Sequence, residues 1–365
     1  MTADWPTERA RFPVLDRYAY LNAGTFGPLA AATSDATTRL RAWEAEHGRG
    51  GRVYFDEMIA SRGRVRELLA AQIHVPVENI ALTESTTQGV HVVVVGLGLG
   101  PDDAVVTTDA EHFGLTGPLI ASGAQLQIAK VRDARADDVG ELICGQITSR
   151  TRLIATSAVS WIDGTIFPWR ELQETSGLPV LVDGAQSVGA LDVDAVSADF
   201  YTVSAQKWLC GPDATGALYV RDPEALRPRL ISYPSAETYD IAAGTWAPKA
   251  GAVRFDPVFT PASSLVGLEA ALTDLPAGRF ERARELTERC RTLLAAAGHE
   301  VVTEPGQATL VTFRVRGDAA EASAALYDRG VVIRDLPGGG LLRASVGWWN
   351  DESDLERLVE TLGSL

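Results

Sequence analysis

Lysine is almost missing from this chain: of its 33 basic residues only Lys130, Lys207 and Lys249 are lysines. A side chain this scarce stands out where it ends an apolar, β-branched run, as Lys207 does in FYTVSAQK, just ahead of a Gly-Pro turn. Cysteine is scarce too. Cys144, Cys210 and Cys290 show no CxxC spacing, which excludes a disulfide framework and a structural zinc site and leaves three free thiols. The five histidines form no HExxH pattern, so no metal is expected. No apolar stretch approaches the roughly 20 residues that span a bilayer. The opening MTADWPTERARFPVLD lacks the basic start and apolar core of a secretion signal, so a cytoplasmic protein with no membrane partner is expected. Positive charge is also in deficit. A net charge of −15 leaves no basic surface for a phosphate backbone, which argues against a nucleic-acid partner and favours solubility.

What is present describes an ordinary folded chain of 365 residues, 46% hydrophobic and 22% charged, long enough for a large domain and a smaller one. Between Ile80 and Val220, seven short apolar runs alternate with helical or loop segments: IALTES, DAVVTTD, QLQIAKV, RLIATSAV, PVLVDGAQ, FYTVSAQK and GALYVRD. Buried, mostly parallel strands in an α/β sheet produce this pattern. Ligands of such sheets collect outside the carboxyl ends of the strands. The chemistry is therefore expected at Ser85–Gln88, Glu111 with His112, Asp183–Gln186 and Ser204–Lys207.

After about Pro257 the pattern changes to an amphipathic helix, GRFERARELTERCRTLLAAAG, followed by short strands and helices that read as an α+β unit. The expected division is a segment at 1–20, a large domain at 21–255 and a small C-terminal domain at 256–365. A linker near Tyr233–Gly251, rich in Ala, Pro, Gly and aromatics, would join the last two. GLGLG at Gly96–Gly100 follows a helical run and not a strand, so it is no dinucleotide loop.

Three handles converge on one chemistry. In LTESTTQGVHVVVV a strand is followed by hydroxyls and a helix; Ser85, Thr86, Thr87 and Gly89 either cap that helix or cradle a phosphate on its free N–H groups. In PVLVDGAQS, Asp183 ends an apolar strand, where a carboxylate is costly without a partner, be it a helix cap or a protonated pyridine nitrogen. Lys207 follows twenty-four positions later, at the end of the next strand. A phosphate cradle, an acid and a lysine amine able to form a Schiff base together match the demands of pyridoxal 5′-phosphate.

The order and wording of these segments, from YLNAGTFGPLA to RASVGWWNDESDLERLV, resemble the class V aminotransferase branch of fold-type I pyridoxal-phosphate enzymes. That branch includes cysteine desulfurases, cyst(e)ine C–S lyases and isopenicillin N epimerase. The resemblance implies a large domain with a seven-stranded, mostly parallel sheet and a smaller α+β domain. It makes Lys207 the catalytic lysine bonded to the cofactor, Asp183 the acid at the pyridine nitrogen, Gln186 the neighbour of the phenolic oxygen and His112, in DAEHFG, the residue over the ring. Thr86, Thr87 and Ser204 match phosphate ligands, and Gln206 stands where many members have histidine for the same task. Arg343, in LLRASVG, matches the arginine that clamps the substrate α-carboxylate, a task suited to a planar bidentate fork. Asn22, Ala23, Gly24 and Thr25 would form part of the substrate wall. Thr260 matches a position that reaches the cofactor phosphate of a neighbouring subunit, implying a homodimer, although Phe259 stands before it where relatives have glycine.

The reaction is read from two departures. Desulfurases carry a nucleophilic cysteine on the loop before the clamping arginine; here that loop is IRDLPGGGLLRAS, without cysteine. Trp161, in SWIDGTIFPW, stands where desulfurases have asparagine and C–S lyases have tryptophan. The expectation is β-elimination from a cysteine-derived amino acid, with Lys207 as base and pyruvate and ammonia as final products. An aminotransferase and an epimerase share the first half of that path. A desulfurase or an inactive binding protein fits less well.

Overall fold

The structure is a computed structural model and describes residues 3–365. Seven strands form its central sheet: β1 (Ile80–Thr83), β2 (Ala104–Thr108), β3 (Gln125–Ala129), β4 (Thr151–Ser157), β5 (Val180–Asp183), β6 (Phe200–Ser204) and β7 (Gly216–Val220). They lie in the order β1-β7-β6-β5-β4-β2-β3, and only β7 runs antiparallel to its neighbours. All seven apolar runs of the sequence are thus strands. Strand β5 shows why its apolar run is continuous. Val180 and Val182 pack into the core on one face, and Leu181 into the core on the other, so helices cover the sheet on both sides.

Alternation also sorts the strand ends. Ala155, Leu181 and Phe200 share the face covered by the helix Thr86–Leu97, which buries Val90, Val92, Val93 and Val94. Each such valine stabilises the fold by about 1.5–3 kcal/mol. Period two then puts Ser157, Asp183 and Ser204 on that same face, at the carboxyl ends of β4, β5 and β6. Gly89 lets the helix approach closely: a Cβ there would sit 2.9 Å from Thr202 Cγ2. Its role is packing rather than ligand contact.

The C-terminal region forms a three-stranded antiparallel sheet of β8 (Leu310–Arg314), β9 (Arg334–Asp335) and β10 (Leu341–Ser345), in the order β8-β10-β9. The helices Arg279–Ala296 and Glu352–Gly363 pack on it, together with Ala19 and Leu21 from the start of the chain. Ala19–Tyr20 pairs in parallel with Val331–Val332. EVVTE contributes only a bridge, Val301 to Phe313. Two other departures concern Tyr233–Gly251 and the helix after it. The expected linker contains an antiparallel hairpin, Ala236–Asp240 with Thr245–Pro248, and the helix Ala262–Leu272 packs into the core of the large sheet. Among the described residues no helix is long and apolar enough to cross a membrane.

Candidate active site

The carboxyl ends of β4, β5 and β6, the N-terminus of the helix Thr86–Leu97 and the segment at His112 enclose a cavity of about 160 Å³. Thr86, Thr87, His112, Trp161, Asp183, Gln186, Ser204, Gln206 and Lys207 all line it. A larger cleft of about 510 Å³ beside Trp169 and Gln307 is lined by Asp137, Cys144, Arg170 and Glu171 but by no lysine or histidine.

Lys207 is half-buried, and its Nζ has no ion-pair partner or hydrogen-bond acceptor among the described residues. Burial, opposed by Asp183 and aided by Arg343 and Arg334, brings its ammonium down to about 8. Asp183 is 4% exposed. Its Oδ1 accepts from the Ala185 amide at 2.9 Å and, at 3.5 Å, from Thr202 Oγ1, which leaves Oδ2 without a protein donor. A carboxylate oxygen open only to the cavity is what a protonated ring nitrogen requires. Ser85 caps the helix, its Oγ accepting from the Gln88 amide at 3.2 Å, so the Thr86 and Thr87 hydroxyls remain free beside the helix N-terminus. Ser204 Oγ donates to Gln206 Oε1 at 2.9 Å, turning the Gln206 amide nitrogen outward as a donor.

His112 caps the next helix: its Nδ1 accepts from the Gly114 amide at 3.0 Å, which leaves Nε2 to carry the proton of the neutral ring. Desolvation, followed by the charge of Lys207, holds the imidazole below its ordinary value. Trp161 stands edge-on to it at 5.3 Å.

Gln186 is committed at both ends. Its Nε2 donates to Gly24 O at 2.9 Å, and its Oε1 accepts from Trp208 Nε1 at 3.0 Å. The N-terminal turn is thereby tied to the cavity. Asn22 bridges Ser345, Thr25 Oγ1 donates to Asn22 Oδ1 at 2.8 Å, and Ala23 is fully buried. A Cβ on Gly24 would lie 2.8 Å from Ser345 Oγ and 2.9 Å from Arg343 Nη2, so the bare backbone is what lets the turn meet the arginine. Arg343 is 1% exposed, donates from Nη1 to Trp161 O and leaves Nε without a partner. Burial and the neighbouring Arg334 both disfavour its charged form, so an anion beside it is strongly favoured. Thr260 does not line the cavity. It is buried with its Oγ1 unpartnered, next to Phe259, which packs on Phe55 and Tyr233.

Three contributors escaped the sequence reading. Ser157 lines the cavity and ends β4, so the strand-end rule could have found it. Trp208, which positions Gln186, and Arg334 carry no local signal. Glu111, expected near the site, accepts from Thr108 Oγ1, Thr156 Oγ1, Ser157 N and Ser157 Oγ and ties β2 to β4. Burial pushes its carboxyl up to about 7 against those hydrogen bonds, with Asp183 adding to the rise.

The residues present fit pyridoxal 5′-phosphate: free hydroxyls at a helix N-terminus, an open carboxylate oxygen on a buried strand end, and an unpaired lysine with a lowered pKa converge on one cavity. Fold and site define a fold-type I pyridoxal-phosphate architecture. The sequence matches the Aminotransferase class-V family over residues 20–358, and the chain belongs to that family. It is 28% identical to an isopenicillin N epimerase of Streptomyces clavuligerus, covering 100% of this chain and 98% of that one. A probable cysteine desulfurase of Methanothermobacter thermautotrophicus is 24% identical over 97% of this chain and 96% of its own length. Among solved structures, the cystine C–S lyase C-DES with its product cysteine persulfide superposes with a TM-score of 0.89 at 24% identity, covering 97% of this chain and 99% of that one. A cysteine desulfurase of Thermococcus onnurineus gives 0.85 at 22% identity, with both chains fully covered. Both superpositions establish the shared fold.

Proposed function

We propose that the chain is a pyridoxal 5′-phosphate-dependent lyase that eliminates a sulfur leaving group from the β-carbon of a cysteine-derived amino acid. The observation that carries this reading is a cavity with a base and a nearby buried arginine but no thiol. Cys144, Cys210 and Cys290 all lie outside the lining. Burial raises each thiol, Cys290 to about 12, so none is poised as a thiolate nucleophile.

The bound cofactor supplies an electron sink conjugated to the substrate nitrogen. Thr86, Thr87, Ser204 and Gln206 hold its phosphate, Asp183 Oδ2 keeps a proton on its ring nitrogen, Gln186 faces its phenolic oxygen and His112 covers its ring. Arg343 receives the α-carboxylate against the wall of Asn22, Ala23, Gly24 and Thr25, with Trp161 closing the other side. Lys207 Nζ takes the α-proton, and the electron pair released expels the β-sulfur as a thiolate, which leaves with a proton. The aminoacrylate so freed hydrolyses to pyruvate and ammonia. A homodimer belongs to this reading, as does the division at 1–20, 21–255 and 256–365, with the helix Ala262–Leu272 packing back on the large domain.

Full-length similarity to an epimerase makes racemisation the main rival, since it shares the α-proton step. Replacing each of Cys144, Cys210 and Cys290 with serine tests the reading against desulfuration. Turnover of a cysteine S-conjugate should stay within about twofold of wild type in all three; collapse in any one would point to a thiolate nucleophile.

A further inference from the structure

Gln186 and Trp208 stand just past the ends of two neighbouring strands, three residues after Asp183 and one after Lys207. A single hydrogen bond joins them: Trp208 Nε1 donates to Gln186 Oε1 at 3.0 Å, with both side chains buried. Trp208 does not line the cavity, whereas Gln186 does. Anything the indole does for the reaction therefore passes through that amide. The indole is itself held in place. It packs against Trp349, ring centroids 6.5 Å apart, and Gly189, with a φ of +91°, makes room for its backbone: a Cβ there would lie 2.7 Å from the Trp208 carbonyl carbon.

An amide side chain can present a carbonyl that accepts or an amino group that donates. Here each of its partners is of one kind only. The indole N–H only donates, and Gly24 O, which takes one hydrogen of Nε2 at 2.9 Å, only accepts. With Oε1 held by the indole, the group left for the cavity is the second N–H of Nε2, which meets no acceptor among the described residues. The Gly24 bond alone is a pivot, because the last torsion of a glutamine is broad. The indole supplies the second point that stops the amide turning about it. Burial alone does not call for such a bond: in the same aromatic cluster Trp349 Nε1 is buried with no partner among the described residues.

We infer that Trp208 is a positioning residue of the reaction, its indole N–H holding the Gln186 amide with a donor toward the cofactor's phenolic oxygen so that this oxygen stays deprotonated. This rests on the proposed function for the place of the phenolic oxygen beside Gln186. A donor to the charged form of an oxygen favours that form. Without the indole N–H, Oε1 is a buried acceptor with no donor, and the amide turns to satisfy it at the expense of the phenolic oxygen.

The test is the visible absorbance of the loaded enzyme, recorded across the pH range in which it stays folded, with Trp208 replaced by benzothienylalanine. That isostere keeps the bicyclic shape and has sulfur in place of the N–H. The pH midpoint of the cofactor's band should rise by about half a unit or more, roughly a threefold change in the balance of protonated and deprotonated forms. Trp208→Phe should move it the same way. Spectra of the isostere enzyme that superpose on those of the wild type at every pH overturn the inference. So does a shift confined to Trp208→Phe, which would mark a packing role. Gln186→Leu separates the inference from the reading beneath it: a shift there with none in the isostere enzyme refutes the role of Trp208 alone, and no shift in either refutes the place of the phenolic oxygen as well. Turnover is not read, so a shift in an enzyme that releases no pyruvate would sink the lyase reading and leave the role of Trp208 standing.

Discussion

Lys207 shows what its surroundings do to one side chain. In water a lysine titrates near 10.4, so at pH 7 almost none of it is neutral; at about 8, roughly one amine in ten is. The neutral amine is the form that reacts with a carbonyl. The rate at which cofactor-free protein takes up pyridoxal phosphate should therefore rise with pH and level off just above 8, and borohydride should then fix the cofactor on Lys207. A rate still climbing past pH 10, or an adduct mapped to Lys130 or Lys249, contradicts this. In the proposed function Arg343 holds the substrate carboxylate, so Arg343→Ala should lower kcat/KM about a hundredfold or more while the cofactor spectrum stays unchanged. An unchanged kcat/KM would remove Arg343 from the site. At this scale the sequence was most legible where strand ends carry polar residues, as at Asp183, Ser204 and Lys207. Arg334 was illegible because its place opposite Arg343 comes from cross-strand register, set by pairing between segments that nothing local specifies.

At the scale of elements, one buried carboxylate joins a helix to the sheet. Asp256 accepts from Arg62 and Arg66 of the helix Arg52–Gln72, each at 2.6 Å, and from the Leu82 amide of β1 at 2.8 Å. Asp256 itself is fully buried. Asp256→Ala leaves two guanidinium groups unpaired in the interior and should destabilise the fold by about 3–5 kcal/mol in a denaturant titration. A loss below about 1 kcal/mol would mean that water or another acceptor replaces the carboxylate. The seven runs of the large sheet were readable because strands buried on both faces are continuously apolar. The hairpin at Ala236–Pro248 was not: its residues are largely exposed, so neither core face imposes an apolar pattern on it. The helix Ala262–Leu272 lies past the expected boundary yet packs on the large sheet, because its apolar face fits either core and only tertiary contact selects one.

At the scale of the molecule, the site is assembled from distant parts of the chain. The N-terminal turn reaches the cavity through Gln186, the C-terminal sheet through Arg343, and the large sheet supplies Lys207 and Asp183. Displacing the C-terminal sheet would therefore move Arg343 relative to Lys207. The order of motifs made the family visible from sequence. The outcome of the reaction is less so, because lyase, aminotransferase and epimerase all begin by moving one α-proton. The measurement that separates them is a product balance: purified holoenzyme incubated with a cysteine S-conjugate and no keto acid, with pyruvate, ammonia, thiol and the enantiomers of the remaining substrate all quantified. Pyruvate, ammonia and thiol in equal amounts, with the substrate still a single enantiomer, is the expected result. Product that forms only after a keto acid is added, or racemised substrate without pyruvate, would contradict β-elimination.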